Sequence, residues 1–238
     1  MTESNVAFSD HSDSTEAGTL LGDSLREAFR GEALDAVIVF ASARHEATAL
    51  LEAIEAACRP AILVGCSSAG EFINGHRGEH AVSAIGLRST DIRFSAGLGQ
   101  GLSRGVGQAA HDIVNAFDGP GTDLGLFQSA LVLTDALAGH ADDLITELSV
   151  QTGGSYTFFG GGAGDDARFE KTHVFFGTTA YTDAAVALEM LSHKPIGIGV
   201  QHGWEKGSAP LRVTESEGMR LISLDGAPAV EAIEEYAQ

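Results

Sequence analysis

The sequence predicts an α/β protein whose mixed sheets are built from two duplicated βαβββ halves with flanking helices. Three observations carry this reading. Apolar, β-branched runs at 35–42 (DAVIVFAS) and 61–65 (AILVG) are joined by a stretch of helical period, the signature of a parallel βαβ unit. The same order of strand, helix, strand and small-residue loop returns later: Asp35 and Ser129 stand 94 residues apart, as do Ala69 and Ala163. A chain of 238 residues, 44% hydrophobic with mean hydropathy +0.07, has apolar material for a large core.

Residues 1–18 are polar, rich in Ser and acids and without periodicity, so a disordered tail is expected. Residues 19–30 space Leu21, Leu25 and Phe29 four apart, which fits an amphipathic helix. After the strand at 35–42, residues 45–58 place Ala49, Leu50, Ala53, Ile54 and Ala57 on one helical face, and Arg59-Pro60 stops that helix. Following the strand at 61–65, the runs 81–88 and 92–97 flank Ser89-Thr90-Asp91 and read as a hairpin. Residues 105–117 form a helix with Val106, Ala109, Ala110, Ile113, Val114 and Phe117 inward, and 118–123 a loop.

The pattern then restarts. A strand at 129–136, a helix at 140–153 with Leu144, Ile145 and Leu148 inward, and a strand at 156–159 repeat the first set. Residues 172–177 (THVFFG) add an extra strand, and 184–191 and 196–200 close the unit. His80 and Ala184 stand 104 apart, so the second half holds an insertion. The halves run from about 35 to 101 and from 129 to 204.

Charge narrows the partners. With 33 acids against 14 Lys and Arg, the formal net charge is −19, which repels nucleic-acid backbones and anionic membrane surfaces. No apolar window reaches the roughly 18 residues of a spanning helix. The opening residues lack both a basic start and an apolar core, so a cytoplasmic location is expected. Cys58 and Cys66 make neither a disulfide framework nor a metal cluster.

Two bends carry the functional reading. Residues 61–72 (AILVGCSSAGEF) and 156–166 (YTFFGGGAGDD) each run from an apolar strand through small residues to an acid. Small side chains let the backbone approach a ligand closely, so the bends are read as the lips of one site formed by Ser67, Ser68, Gly70, Glu71, Gly161, Gly162 and Asp165. The plainer alternative makes both bends tight strand exits. Asp165 and Asp166 with Glu71 could bind a divalent cation or an amino group, or could simply be solvated. Ser67 and Cys66 sit in a stretch like a nucleophile elbow, yet the residues that follow are turn-rich rather than helical. The glycine loop lacks the Lys-Ser/Thr of a phosphate loop and the dinucleotide spacing. Nine histidines are scattered without zinc or c-type haem patterns, whereas a b-type haem needs one axial His. His173 beside Val174-Phe175-Phe176 and His202 beside Trp204 have the apolar neighbours for that role.

Residues 64–71 (VGCSSAGE), 160–166 (GGGAGDD) and 199–204 (GVQHGW) together resemble the FIST N-terminal sensory domain, and 212–218 with 224–229 resemble the start of the FIST C-terminal domain. The resemblance implies a sensory domain over 19–207 and the start of a truncated C-terminal-type segment over 208–238. It further implies a non-catalytic, cytoplasmic, small-ligand sensory module of a signalling pathway, with a small-molecule ligand such as an amino acid. The alternative it implies is a haem protein that senses nitric oxide and partners a histidine kinase; if haem binds, the apolar neighbours of His173 and His202 make these the axial candidates. A lower alternative is a hydrolase using Ser67 or Cys66.

Overall fold

In the computed structural model every residue is described except Leu124, His202, Trp204, Ser208, Met219, Ala237 and Gln238. The chain divides into two units, Met1–Ile196 and Gly197–Gln238. The first unit runs β1 (Thr2–Ser9), α1 (Ser14–Ala28), β2 (Ala36–Ser42), α2 (Ala47–Cys58), β3 (Ile62–Ser68), β4 (Glu71–Ile73), β5 (His76–Gly78), β6 (Val82–Ser89). It continues with β7 (Ile92–Gln100), α3 (Val106–Asn115), β8 (Phe127–Thr134), α4 (Ala141–Gln151), β9 (Tyr156–Gly162), β10 (Val174–Phe176), β11 (Thr179–Tyr181) and β12 (Ala184–Ser192).

Two sheets result, in the orders β1-β6-β2-β3-β10-β11 and β7-β12-β8-β9. In each, two parallel strands (β2 and β3, β8 and β9) are flanked by an antiparallel strand, β6 or β12, which pairs in turn with β1 or β7. Strand alternation sends Val37, Val39 and Ala41 to one face, against Leu21, Leu25, Leu50 and Ile54 of the first two helices. Ile38, Val64 and Cys66 take the other face and meet Leu133, Val186 and Leu188 of the second sheet. Val132, Ala185 and Ala187 pack on Ile113, Leu144 and Leu148 of α3 and α4. The layers are therefore helices, sheet, sheet, helices, and the α/β mixed-sheet class is the one observed.

Several elements differ from the sequence expectation. Residues 1–18 are not a disordered tail: β1 pairs with β6 from Thr2 to Ser9, and Asp13 caps α1 by accepting from the Glu16 amide at 2.9 Å. Backbone pairing holds β1, whose side chains are buried only near its end, so no apolar alternation marks it. β6 and β7 are not a hairpin, because the chain crosses between sheets at Thr90-Asp91 and β7 pairs with β12. Gly97 and Gly99 let α3 lie on β7: a Cβ at either would stand 2.5 Å from the Ile113 carbonyl oxygen or 2.3 Å from that of Ala109. β7 therefore groups with β8, β9 and β12 and not with the strands before residue 101 where it was expected. Residues 196–200 form no strand, since the second sheet is already complete and Gly197 and Gly199 interrupt the apolar residues. Ile145 is exposed rather than inward.

The second unit holds an antiparallel sheet of β13 (Val213–Glu217), β14 (Arg220–Leu224) and β15 (Ala227–Pro228), followed by α5 (Ala229–Tyr236). Among the described residues no helix is long and apolar enough to cross a membrane.

Candidate functional site

β3 and β9 each leave their sheet through a chain of small residues, and the two bends that follow touch. The Gly164 amide donates to the Ser67 carbonyl at 2.8 Å and the Asp166 amide to that of Ser68 at 3.3 Å. A Cβ on Gly164 would stand 2.9 Å from the Ala69 nitrogen, so glycine is what allows this approach. Between the strands lies a cleft of about 390 Å³, lined by Phe40, Cys66, Ser67, Ser68, Ala69 and Leu131, and by Leu133, Gly164 and the glycines 160–162. The geometry thus brings Ser67, Ser68, Gly161 and Gly162 of the expected set to one wall or the other.

Gly70, Glu71 and Asp165 are not on those walls. Glu71 is buried, and its carboxylate accepts from Ser68 Oγ at 2.6 Å and from the Ala81 amide at 3.0 Å. Asp165 accepts four amides, from Arg168, Phe169, Glu170 and Lys171, at 2.6–3.0 Å. Burial alone would raise its pKa, but those donors favour the ionised form and hold it below the ordinary carboxylate value. Both acids fix the shape of a bend with their own oxygens.

A second cavity of about 370 Å³ opens on the helical side of β2 and β3, with Ser42, His45, Thr48, Ser67, Lys171 and His173 among its lining. Its place beyond the carboxyl ends of two parallel strands is a usual one for ligand pockets in such sheets. Both ring nitrogens of His45 are engaged, Nδ1 with Ser14 Oγ at 3.3 Å and Nε2 with the His80 carbonyl at 3.2 Å. Burial lowers the pKa of His45, and burial with nearby Lys171 lowers that of His173. These groups come from distant stretches, which is why sequence reading missed Ser42, His45 and Lys171. The useful signal was the rarity of lysine, of which the chain has three.

The alternative chemistries find little here. Ser67 Oγ accepts from the His173 amide at 2.9 Å, so it meets that residue's backbone and not its imidazole. Cys66 lies in the core between the sheets, where burial pushes its thiol up to about 12. The Ser67–Ser68 corner leads into the β4–β5 hairpin instead of a helix. His173 is half-buried in a cavity where eight of fourteen lining residues are polar, which does not fit the apolar slot a haem requires. His202 and its neighbour Trp204 lie outside the described residues. Among the described residues no three His, Cys, Asp or Glu side chains converge as metal ligands would.

Comparison with known proteins adds a family. The family model described as FIST N domain matches residues 35–227, which include both bends. No curated protein matches the chain.

Proposed function

Because the chain belongs to the FIST N-domain family, a family of sensory domains in signal transduction, we propose that it is a cytoplasmic, non-catalytic module that senses a small molecule in the cleft between its two bends. The observation that carries this reading is the approach of the Ser67–Ser68 and Gly164–Asp166 backbones around a cleft of about 390 Å³. Ser67, Ser68, Gly161 and Gly162 line the cleft with small side chains that leave it open, while Glu71 and Asp165 keep the bends in register. A ligand favouring one arrangement of the bends shifts the population toward it, and a downstream segment or signalling partner reads the shift.

The test uses Gly161→Leu. A Cβ at Gly161 meets nothing within 4 Å, and Gly161 pairs in register with Leu133, which faces between the sheets, so the new side chain fills the cleft without a backbone clash. Wild type and variant are screened by thermal shift against the standard amino acids, and each preparation is examined by mass spectrometry and absorbance for copurifying molecules. The expected result is a ligand that stabilises or accompanies the wild type and is lost in the variant, whose own melting temperature is unchanged. A ligand bound equally by both proteins, or a Soret band retained in the variant, overturns the reading.

A further inference from the structure

Each sheet has a cavity on its helical side, of about 370 Å³ in the first and about 210 Å³ in the second, and the two differ in how the polar groups at the mouth are satisfied. β8 and β9 occupy in one sheet the places of β2 and β3 in the other, and α4 connects them as α2 does. Ser42 ends β2 opposite Ser68, and Thr134 ends β8 opposite Gly162. In the first sheet the polar groups at this mouth are satisfied. Ser42 Oγ donates to Asp166 at 2.8 Å, and Glu46 caps α2 by accepting from the Ala49 and Thr48 amides at 2.7 and 3.3 Å.

In the second sheet they are not. Thr134 is 6% exposed, and its Oγ1 is buried with no hydrogen-bond partner among the described residues. The N-cap of α4 is His140, which makes no side-chain bond to the helix amides and instead places Nδ1 3.2 Å from Asp143. Thr134 and Ala141, the first residue of α4, line the same cavity of about 210 Å³, whose other walls include Val132, Leu144, Ile145 and Phe158. A buried hydroxyl without a partner is destabilising, and the first amides of a helix have no partner within it and remain available to a ligand. The cavity supplies an apolar bed beside both.

We propose that this cavity binds a small, largely apolar molecule carrying one uncharged carbonyl group, with the carbonyl oxygen accepting from Thr134 and the first amides of α4. The charge of the head group follows from the helix itself. Asp142 and Asp143 stand in the first turn of α4, so a carboxylate head would meet two like charges where a neutral carbonyl meets none. The site lies on the opposite face of the sheet from the cleft between the bends, and the two can be tested apart.

The experiment titrates the full-length protein with phenylacetamide and with phenylacetate, following backbone amide shifts by NMR. Saturable binding of phenylacetamide is expected, with phenylacetate at least about tenfold weaker. Thr134→Val removes the hydroxyl while keeping the shape, and is expected to weaken phenylacetamide about tenfold, the equivalent of one good hydrogen bond, without lowering the melting temperature. Ala141→Leu, at an exposed helix start, is expected to block the site and abolish binding. Ser68→Ala, on the cleft and not on this cavity, is expected to leave it within about twofold. No saturable phenylacetamide binding, equal affinity for the two probes, or binding unaffected by Ala141→Leu overturns the proposal.

Discussion

The two pairs of parallel strands share an order and a helical connection, yet their outer edges differ. β3 is covered: β10 pairs with it from Val64 to Cys66, and β11 pairs with β10. β9 ends its sheet, and the β4–β5 hairpin that follows β3 pairs within itself instead of reaching across. At the covered pair Ser42 and the first amides of α2 have side-chain partners, while at the bare pair Thr134 Oγ1 has none among the described residues and α4 has no side-chain cap. Similar topology can therefore leave a cavity at both pairs while satisfying the polar groups at only one, and the distinction lies in which of those groups the chain satisfies by itself.

The largest test of this contrast compares one phenylalanine from each edge. Phe175 of β10 is 2% exposed in the core beneath α2, so Phe175→Ala is expected to lose about 3–5 kcal/mol in urea unfolding. Phe159 on β9 is only half-buried, and its replacement by Ala is expected to lose less than about 2 kcal/mol. Equal losses would erase the difference between a structural and an open edge.

A buried acid sharpens the comparison next. Glu189 on β12 is fully buried and accepts from Ser95 Oγ at 2.5 Å, from the Asp118 and Gly119 amides at 2.9 and 3.2 Å, and from the Tyr156 hydroxyl. Its carboxylate ties the bare sheet's first strand, central strand and last strand together. Glu189→Ala strands those donors and is expected to lose about 3 kcal/mol, whereas Glu189→Gln, which keeps an acceptor, is expected to lose less. Replacing the cap of the covered pair, Glu46→Ala, is expected to lose about 1 kcal/mol. His140→Ala at the matching place in α4 is expected to be near neutral, since His140 supplies no cap there.

The smallest expected effect is a pH dependence confined to the covered mouth. His45 and His173 have folded-state pKa values below their ordinary 6.5, so the unfolded chain takes up protons first as pH falls. Their contribution is complete above pH 6.5 and declines as pH drops through and below it. Asp165, with its lowered pKa, adds a further loss at more acid pH, within and below the usual carboxylate range. Denaturant titrations from pH 7.5 to 5 are expected to show falling stability, and the double variant His45→Gln, His173→Gln a flatter profile. An unchanged slope would remove these imidazoles from the account.

Much of the scaffold was legible from residue pattern alone. Val37–Phe40 and Leu131–Leu133 are continuous apolar runs because both faces of their strands are covered, one by helices and one by the opposing sheet. β1 was hidden because ladder bonds to β6, rather than side chains, hold it. The crossing at Thr90-Asp91 was hidden because two apolar strands separated by a short turn look alike whether they pair together or part. Of the candidate site, the placement of the small residues Ser67, Ser68, Gly161 and Gly162 beside one cleft could be read, since close backbone approach selects for them. Glu71 and Asp165 looked like ligand acids because sequence does not disclose which carboxylates will meet amides of their own loops. Thr134 escaped notice because an unsatisfied hydroxyl is visible only once every neighbour has been placed.

The crossing at Thr90-Asp91 and the return of β10 to β3 have a consequence for how the molecule can be taken apart. Sheet one lacks its last two strands until the later sequence arrives, so a chain cut between β6 and β7 yields two fragments, the first with an unfinished border. Such pieces would serve as a natural split reporter: aggregation-prone when made singly, and reassembling when synthesised side by side.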